Sequence, residues 1–112
     1  MSESSTARVV ERVDAEDRYA ILVDGRRAGF TAYRDLGAQR VFYHTEIDGA
    51  FAGQGLGPQL VQQALADVRA SGMRIVPVCP YVAKFLKRHD AFADITDPVT
   101  PEVLRWLKAQ LG

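Results

Sequence analysis

Three glycines fall within five residues at Gly53-Gln54-Gly55-Leu56-Gly57. Such a stretch lets the backbone come close to a ligand and turn its N–H groups inward. An amphipathic pattern follows directly. The N-terminus of the helix it predicts adds unpaired N–H donors and the positive end of a dipole. That combination suits a phosphate or pyrophosphate. Two nucleotide sites are excluded. A P-loop carries Lys and then Ser or Thr after its last glycine, and here Pro58-Gln59 follow. A dinucleotide fingerprint needs a further glycine and a parallel β-α-β unit early in the chain, and neither is found. The same glycines would also serve a plain tight turn from strand to helix.

Other reactive side chains flank this turn. His44 and Glu46 stand two residues apart just before it, which in a strand places them on one face about 7 Å apart. An imidazole changes charge near neutral pH and is a natural proton acceptor, although a histidine can equally be a packed strand residue. Glu46 can accept a proton, orient His44 or be an ordinary surface carboxylate. Cys79 is the one cysteine, so no internal disulfide forms and a reducing cytoplasm is the expected home. Its thiol can act as a nucleophile or fill space as a small apolar group. Tyr81 offers a phenolic proton. Lys84, Lys87, Arg88 and His89 make a basic group, either a solvated face or a set of charges for phosphate.

The elements that must position these residues follow from periodicity. Arg8–Asp14, Arg18–Val23, Ala28–Tyr33 and Arg40–Asp48 read as strands. Asp24-Gly25 between the second and third is a strong hairpin signal. In the fourth, Val41, Tyr43, Thr45 and Ile47 share one face; Phe42, His44, Glu46 and Asp48 share the other. Pro58 to about Ala70 is a helix with an apolar stripe of Leu60, Val61, Ala64, Leu65 and Val68, and Gly72 stops it. Arg74–Cys79 is a short strand whose Pro77 marks a bulge or a sheet edge. Pro80–Arg88 is a second helix. Thr100-Pro101-Glu102 starts a third; its Trp106 reads as core or partner surface.

Composition sets the outer limits. The chain has 112 residues, 47% apolar and 25% charged, which suits one globular domain. Met1–Thr6 is polar and Ser-rich and is expected to be a disordered tail; residues 7–112 then form a single domain. Fourteen basic and 14 acidic residues balance, so neither nucleic acid nor an anionic membrane is the expected partner. No apolar run approaches the ~20 residues of a membrane span. Hairpins first and a β-α-β crossover later predict an α+β domain with a mixed, mostly antiparallel sheet.

The glycine turn between a strand and an amphipathic helix resembles the acetyl-coenzyme A loop of the GNAT (general-control-related) N-acetyltransferases. Ala83 and Phe92 keep a nine-residue spacing seen in that family. His44-Thr45-Glu46 and Val78-Cys79-Pro80-Tyr81 are similar to the very small GNAT-like group. The resemblance implies a compact GNAT-like domain lacking the early helices, with helices on the sheet faces. It implies acetyl transfer from acetyl-CoA to a small amine or to a protein or peptide amine, with no metal, in a monomer or homodimer. It implies coenzyme contacts at Ile47, Gly53, Gln54, Gly55, Leu56, Gly57, Pro58, Lys84 and Lys87. Catalytic candidates are His44 or Glu46 as base, Cys79 beside the pantetheine arm or as an acetyl carrier, and Tyr81 as proton donor. Ala52 stands where the family loop usually has Arg or Gln, Pro80 where many members have Asn, and Lys87 where many have a tyrosine acid. A non-catalytic coenzyme-binding or regulatory module is the alternative.

Overall fold

The computed structural model describes residues 7–112, and the expected disordered tail lies outside them. Five strands, β1 (Arg8–Val13), β2 (Arg18–Val23), β3 (Arg26–Leu36), β4 (Gln39–Ile47) and β5 (Arg74–Pro77), form one sheet in sequence order. The first four pair antiparallel. β5 joins β4 in parallel through the crossover helix α1 (Leu56–Ala70). Helices α2 (Pro80–Arg88) and α3 (Pro101–Leu111) complete the order expected from periodicity. The β1–β2 connection is only the four residues Asp14–Asp17, a single 3-10 turn over Asp14–Glu16, so no α-helix intervenes there. No described helix is long and apolar enough to cross a membrane.

Local chemistry accounts for the joints. Asp24 and Gly25 both have positive φ, 50° and 82°, as a two-residue hairpin of right-handed strands requires. Thr100 accepts a hydrogen bond from the Val103 N–H at 3.2 Å and caps α3. Helix α1 begins at Leu56, two residues before the expected Pro58, because Gly55 takes a left-handed conformation and acts as the cap.

The sheet carries two cores. On one face, α1 and α2 cover Tyr19, Ile21, Tyr33 and Phe42 with Leu60, Leu65, Val68 and Val82. Each such large apolar side chain contributes ~1.5–3 kcal/mol relative to exposure. On the other, α3 sets Val103 and Leu107 against Val41 and Val76, with Trp106 packed beside them.

A polar network runs under the C-terminal end of α1. Arg40, 6% exposed, forks onto Asp35 at 2.8 and 2.9 Å and donates to the Tyr19 hydroxyl at 2.7 Å. Tyr19 donates to Asp67 at 2.6 Å, and Arg12 reaches the same carboxylate at 2.9 Å. The network ties β1, β2 and β4 to α1.

The segment after α2 is held by ion pairs. Arg69 bonds Asp94 at 2.7 Å. Arg74 and Gln39 both reach Asp97 at 2.9 Å, and the Asp97 N–H bonds Ile75 beside a one-residue parallel bridge at Thr96. Arg69 holds the Asp94 carboxyl below its ordinary range; Arg74, then Gln39, do the same for Asp97. A carboxyl depressed by folding stabilises above its unfolded value of ~4 and loses that contribution as pH falls through the folded one. The melting temperature should therefore hold from neutral pH to about 5 and drop below about 4. Asp97→Asn should flatten part of that acid drop in circular-dichroism melts; an unchanged acid limb would show that this carboxylate contributes nothing.

Candidate active site

The fourth strand does not keep simple alternation. His44 pairs with Ala32 and Phe42 with Tyr33, which leaves Tyr43 as an extra residue in β4. This β-bulge shifts the phase. Val41 and Tyr43 belong to the α3 core as expected of one face. Thr45 and Ile47 turn instead to the α1 side, where Ile47 packs on the core and Thr45 meets Cys79. The expected grouping of Val41, Tyr43, Thr45 and Ile47 on one face is thus corrected by the bulge.

The same region is where β4 and β5 part. Their ladder runs from Gln39↔Arg74 to Phe42↔Pro77. Pro77 has no N–H to continue it. One more bond follows, from the Cys79 N–H to the Phe42 carbonyl at 2.8 Å. Beyond it, the β5-side edge of β4 has no strand partner among the described residues. The last strand therefore ends at Pro77, short of the expected Cys79, which instead precedes α2 as its cap residue.

Above this divergence lies the glycine turn. Gly53 and Gly55 have φ of 80° and 72°, and a β-carbon on either would touch nothing. They are needed for conformation, not for space. The amides of Gly53, Gln54 and Gly55 donate to no backbone partner among the described residues. The first turn of α1 adds the Leu56 and Gly57 amides, and no side chain caps it. The side chain of Leu56 is buried in the core, so only its backbone faces this role. Ala52 is exposed and offers the turn no polar group. Gly57 is explained by packing: a β-carbon there would overlap the Tyr81 hydroxyl. Tyr81 thus lies against the first turn of α1, and burial raises its pKa above the ordinary phenol value, so it holds its proton at neutral pH.

The catalytic candidates form two separate groups. His44 Nε2 and Glu46 Oε2 are 2.9 Å apart, with side chains 51% and 64% exposed. The His44 ring lies 5.8 Å from Phe30. Cys79, 4% exposed, sits 3.3 Å from Thr45 Oγ1. Thr45 in turn lies 2.9 Å from Thr31 Oγ1. Thr45 separates the two groups along β4, so the imidazole–carboxylate pair and the thiol occupy opposite faces of one strand. Thr31 and Thr45 are additions that periodicity did not single out; the bulge that aims Thr45 at the thiol has no signature in spacing. Pro58 and Lys84 line a cavity of about 160 Å³ between α1 and α2, and Lys87 does not. No group of three or more His, Cys, Asp or Glu gathers as for a metal among the described residues.

An antiparallel sheet with one parallel crossover, a glycine-rich helix start and a strand pair that parts beneath it define an α+β protein built like an N-acetyltransferase. A family model described as GCN5-related N-acetyl-transferase matches residues 18–95. The chain belongs to that family. A GCN5-like protein from Staphylococcus aureus, solved in solution, shares the fold with a TM-score of 0.62 at 18% identity, over 83% of this chain and 91% of that one. A GNAT-family protein from Desulfovibrio desulfuricans aligns at 22% identity over 52% of this chain and 40% of its own, with a TM-score of 0.46. Comparison with curated proteins gives no match.

Proposed function

We propose that the domain transfers an acetyl group from acetyl-CoA to an amine. The observation that carries this reading is the row of unpartnered amides from Gly53 to Gly55 at the head of α1, directly above the parting of β4 and β5. Amides and helix dipole suit a pyrophosphate. The unpaired edge of β4 offers an extended thiol-bearing arm backbone partners, with Ile47 beside it. Cys79 and Thr45 stand on the α1 side of that edge, and His44 with Glu46 on the other.

In this reading the neutral amine attacks the thioester carbonyl carbon. A C–N bond forms and the C–S bond breaks. The amine proton passes to His44, directly or through water. With Nε2–H donated to Glu46, the free lone pair is on Nδ1. The departing sulfur takes a proton, for which Tyr81 is the candidate donor. The buried Cys79 serves to shape the arm's path, which makes direct transfer the favoured route over an acetyl-cysteine. The exposure of His44 and Glu46 suits a small amine or an amine on a peptide or protein. The lone thiol suits a reducing cytoplasm.

Calorimetric titration with acetyl-CoA should show saturable binding, and mass-spectrometric screening of amine, polyamine and peptide acceptors should show products heavier by one acetyl group. Absence of binding at millimolar ligand would defeat the reading. Binding without transfer to any acceptor would leave the coenzyme-binding module in its place.

A further inference from the structure

Two side chains touch the His44 ring, Phe30 by ring contact and Glu46 by hydrogen bond. Both are also walls of a second cavity. It is lined by residues 27–30 of β3 and 46–49 at the end of β4, and its volume is about 310 Å³. That reaches the ~300–1,000 Å³ of a small-ligand pocket. Phe30 and Glu46 are cross-strand partners, so both stand on the His44 face of the sheet. Helix α3 packs on Val41 and Val76 of that face, and its core holds none of the cavity's residues.

The walls carry an excess of negative charge. Their charged side chains are Arg27, Glu46 and Asp48. Arg27 is held by Glu16 at 2.9 Å. Arg18 lies 4.0 Å from the Phe30 ring centre, but it also faces Glu16, at 3.6 Å, and does not line the cavity. Two arginines against three carboxylates leave one net negative charge. No Lys or Arg pairs with Glu46 or Asp48 among the described residues. Each also keeps an oxygen free. Glu46 Oε2 meets His44, and Asp48 Oδ1 accepts the Ala50 N–H at 2.9 Å. Glu46 Oε1 and Asp48 Oδ2 have no hydrogen-bond partner among the described residues.

We propose that this β3–β4 cavity holds a second, positively charged end of the acceptor, on Asp48 and the free oxygen of Glu46, so that the acceptor is an alkyl diamine or a longer polyamine. The proposal rests on the acetyl-transfer reading with His44 as base and names its substrate class. The strand rise sets the Cα atoms of His44 and Asp48 about 13 Å apart, and the two side chains shorten that gap. An acceptor with one nitrogen at His44 therefore needs an extended alkyl chain to bring its other nitrogen to Asp48. The Phe30 ring lies along that path. Both carboxylates are exposed, so the preference is moderate and weakens with salt.

The test uses three acceptors of one length that differ in the far end: 1,6-diaminohexane, hexylamine and 6-aminohexanoate. At low ionic strength kcat/KM should favour the diamine over hexylamine about ten-fold, beyond the factor of two from its equivalent amines. The aminohexanoate should be the poorest. Calorimetry on the protein saturated with coenzyme A, where no transfer occurs, should give the same order of affinities. Asp48→Asn keeps the cap on Ala50 and should cut the diamine preference about three-fold in both measurements. Asp90→Asn, which removes an unpaired carboxylate elsewhere, should keep it whole. Equal use of diamine and hexylamine would overturn the proposal, as would an Asp48→Asn protein with the full preference or coenzyme binding without transfer to any of the three. Failure to bind acetyl-CoA at all would instead overturn the acetyl-transfer reading and this proposal with it.

Discussion

Replacing Arg40 with methionine should lower the unfolding free energy by about 3 kcal/mol, the lower end of what breaking a buried ion pair costs. The guanidinium is almost wholly buried and each of its three nitrogens donates a hydrogen bond: Nε and Nη2 to Asp35, Nη1 to Tyr19. Its Cζ also lies 4.2 Å from the Tyr33 ring centre. Burial works against the charge, but Asp35 and Tyr19 more than offset it, and Arg40 stays ionised. Burial and the bond to Asp67 also push the Tyr19 hydroxyl far above its ordinary pKa, so it remains a donor. Methionine would fill the volume and satisfy neither oxygen partner. Asp35 and Asp67 are each about two-fifths exposed, and water can relieve them in part; this places the loss at the lower end. The melting temperature should fall by roughly 12–24 °C. Tyr19→Phe should cost ~1–3 kcal/mol, because Asp67 then loses a donor and Arg40 an acceptor. Arg40→Lys should lie between wild type and methionine, since an ammonium keeps the charge but not the fork. Chemical denaturation with all three variants checks the order; a loss below about 1 kcal/mol for Arg40→Met would mean that the network is dispensable.

This network also marks where sequence reading stops. Strands and helices were legible because their signals are local. Asp24-Gly25 can take two positive φ values in succession, and Thr100-Pro101-Glu102 supplies a cap, a fixed φ and a first-turn acid. The glycine turn was legible for the same reason. Arg40, Tyr19 and Asp67 are far apart in the chain, and a charged residue in a strand ordinarily reads as solvent-facing. The bulge was hidden in another way. Nothing in Val41-Phe42-Tyr43-His44 breaks alternation, since each of the first three is apolar enough for either face. Only pairing with β3 reveals that Tyr43 has no opposite number. The consequence reaches the site directly, because the phase shift aims Thr45 at Cys79. Gly57 shows a glycine read correctly in place and incompletely in cause. Its neighbours need positive φ, whereas Gly57 needs the absence of a β-carbon under Tyr81.

His44→Ala should reduce kcat about 100-fold near neutral pH, at the low end of what a positioned acid or base contributes. The KM for acetyl-CoA should change little, because no proposed coenzyme contact involves the imidazole. Stability should move by no more than about 0.5 kcal/mol, as for other exposed substitutions; the ring is half exposed and touches Phe30 and Glu46 alone by ring contact or hydrogen bond. Glu46→Gln should act in the same direction but more weakly, about ten-fold, because an amide can still orient the ring without favouring its charged form. Cys79→Ala separates the routes. Direct transfer predicts turnover within a few-fold of wild type and no acetylated protein after incubation with acetyl-CoA; an acetyl-cysteine route predicts loss of both turnover and label. Full turnover in His44→Ala would remove the imidazole as base and leave Glu46, acting alone or through water, as the group to test next.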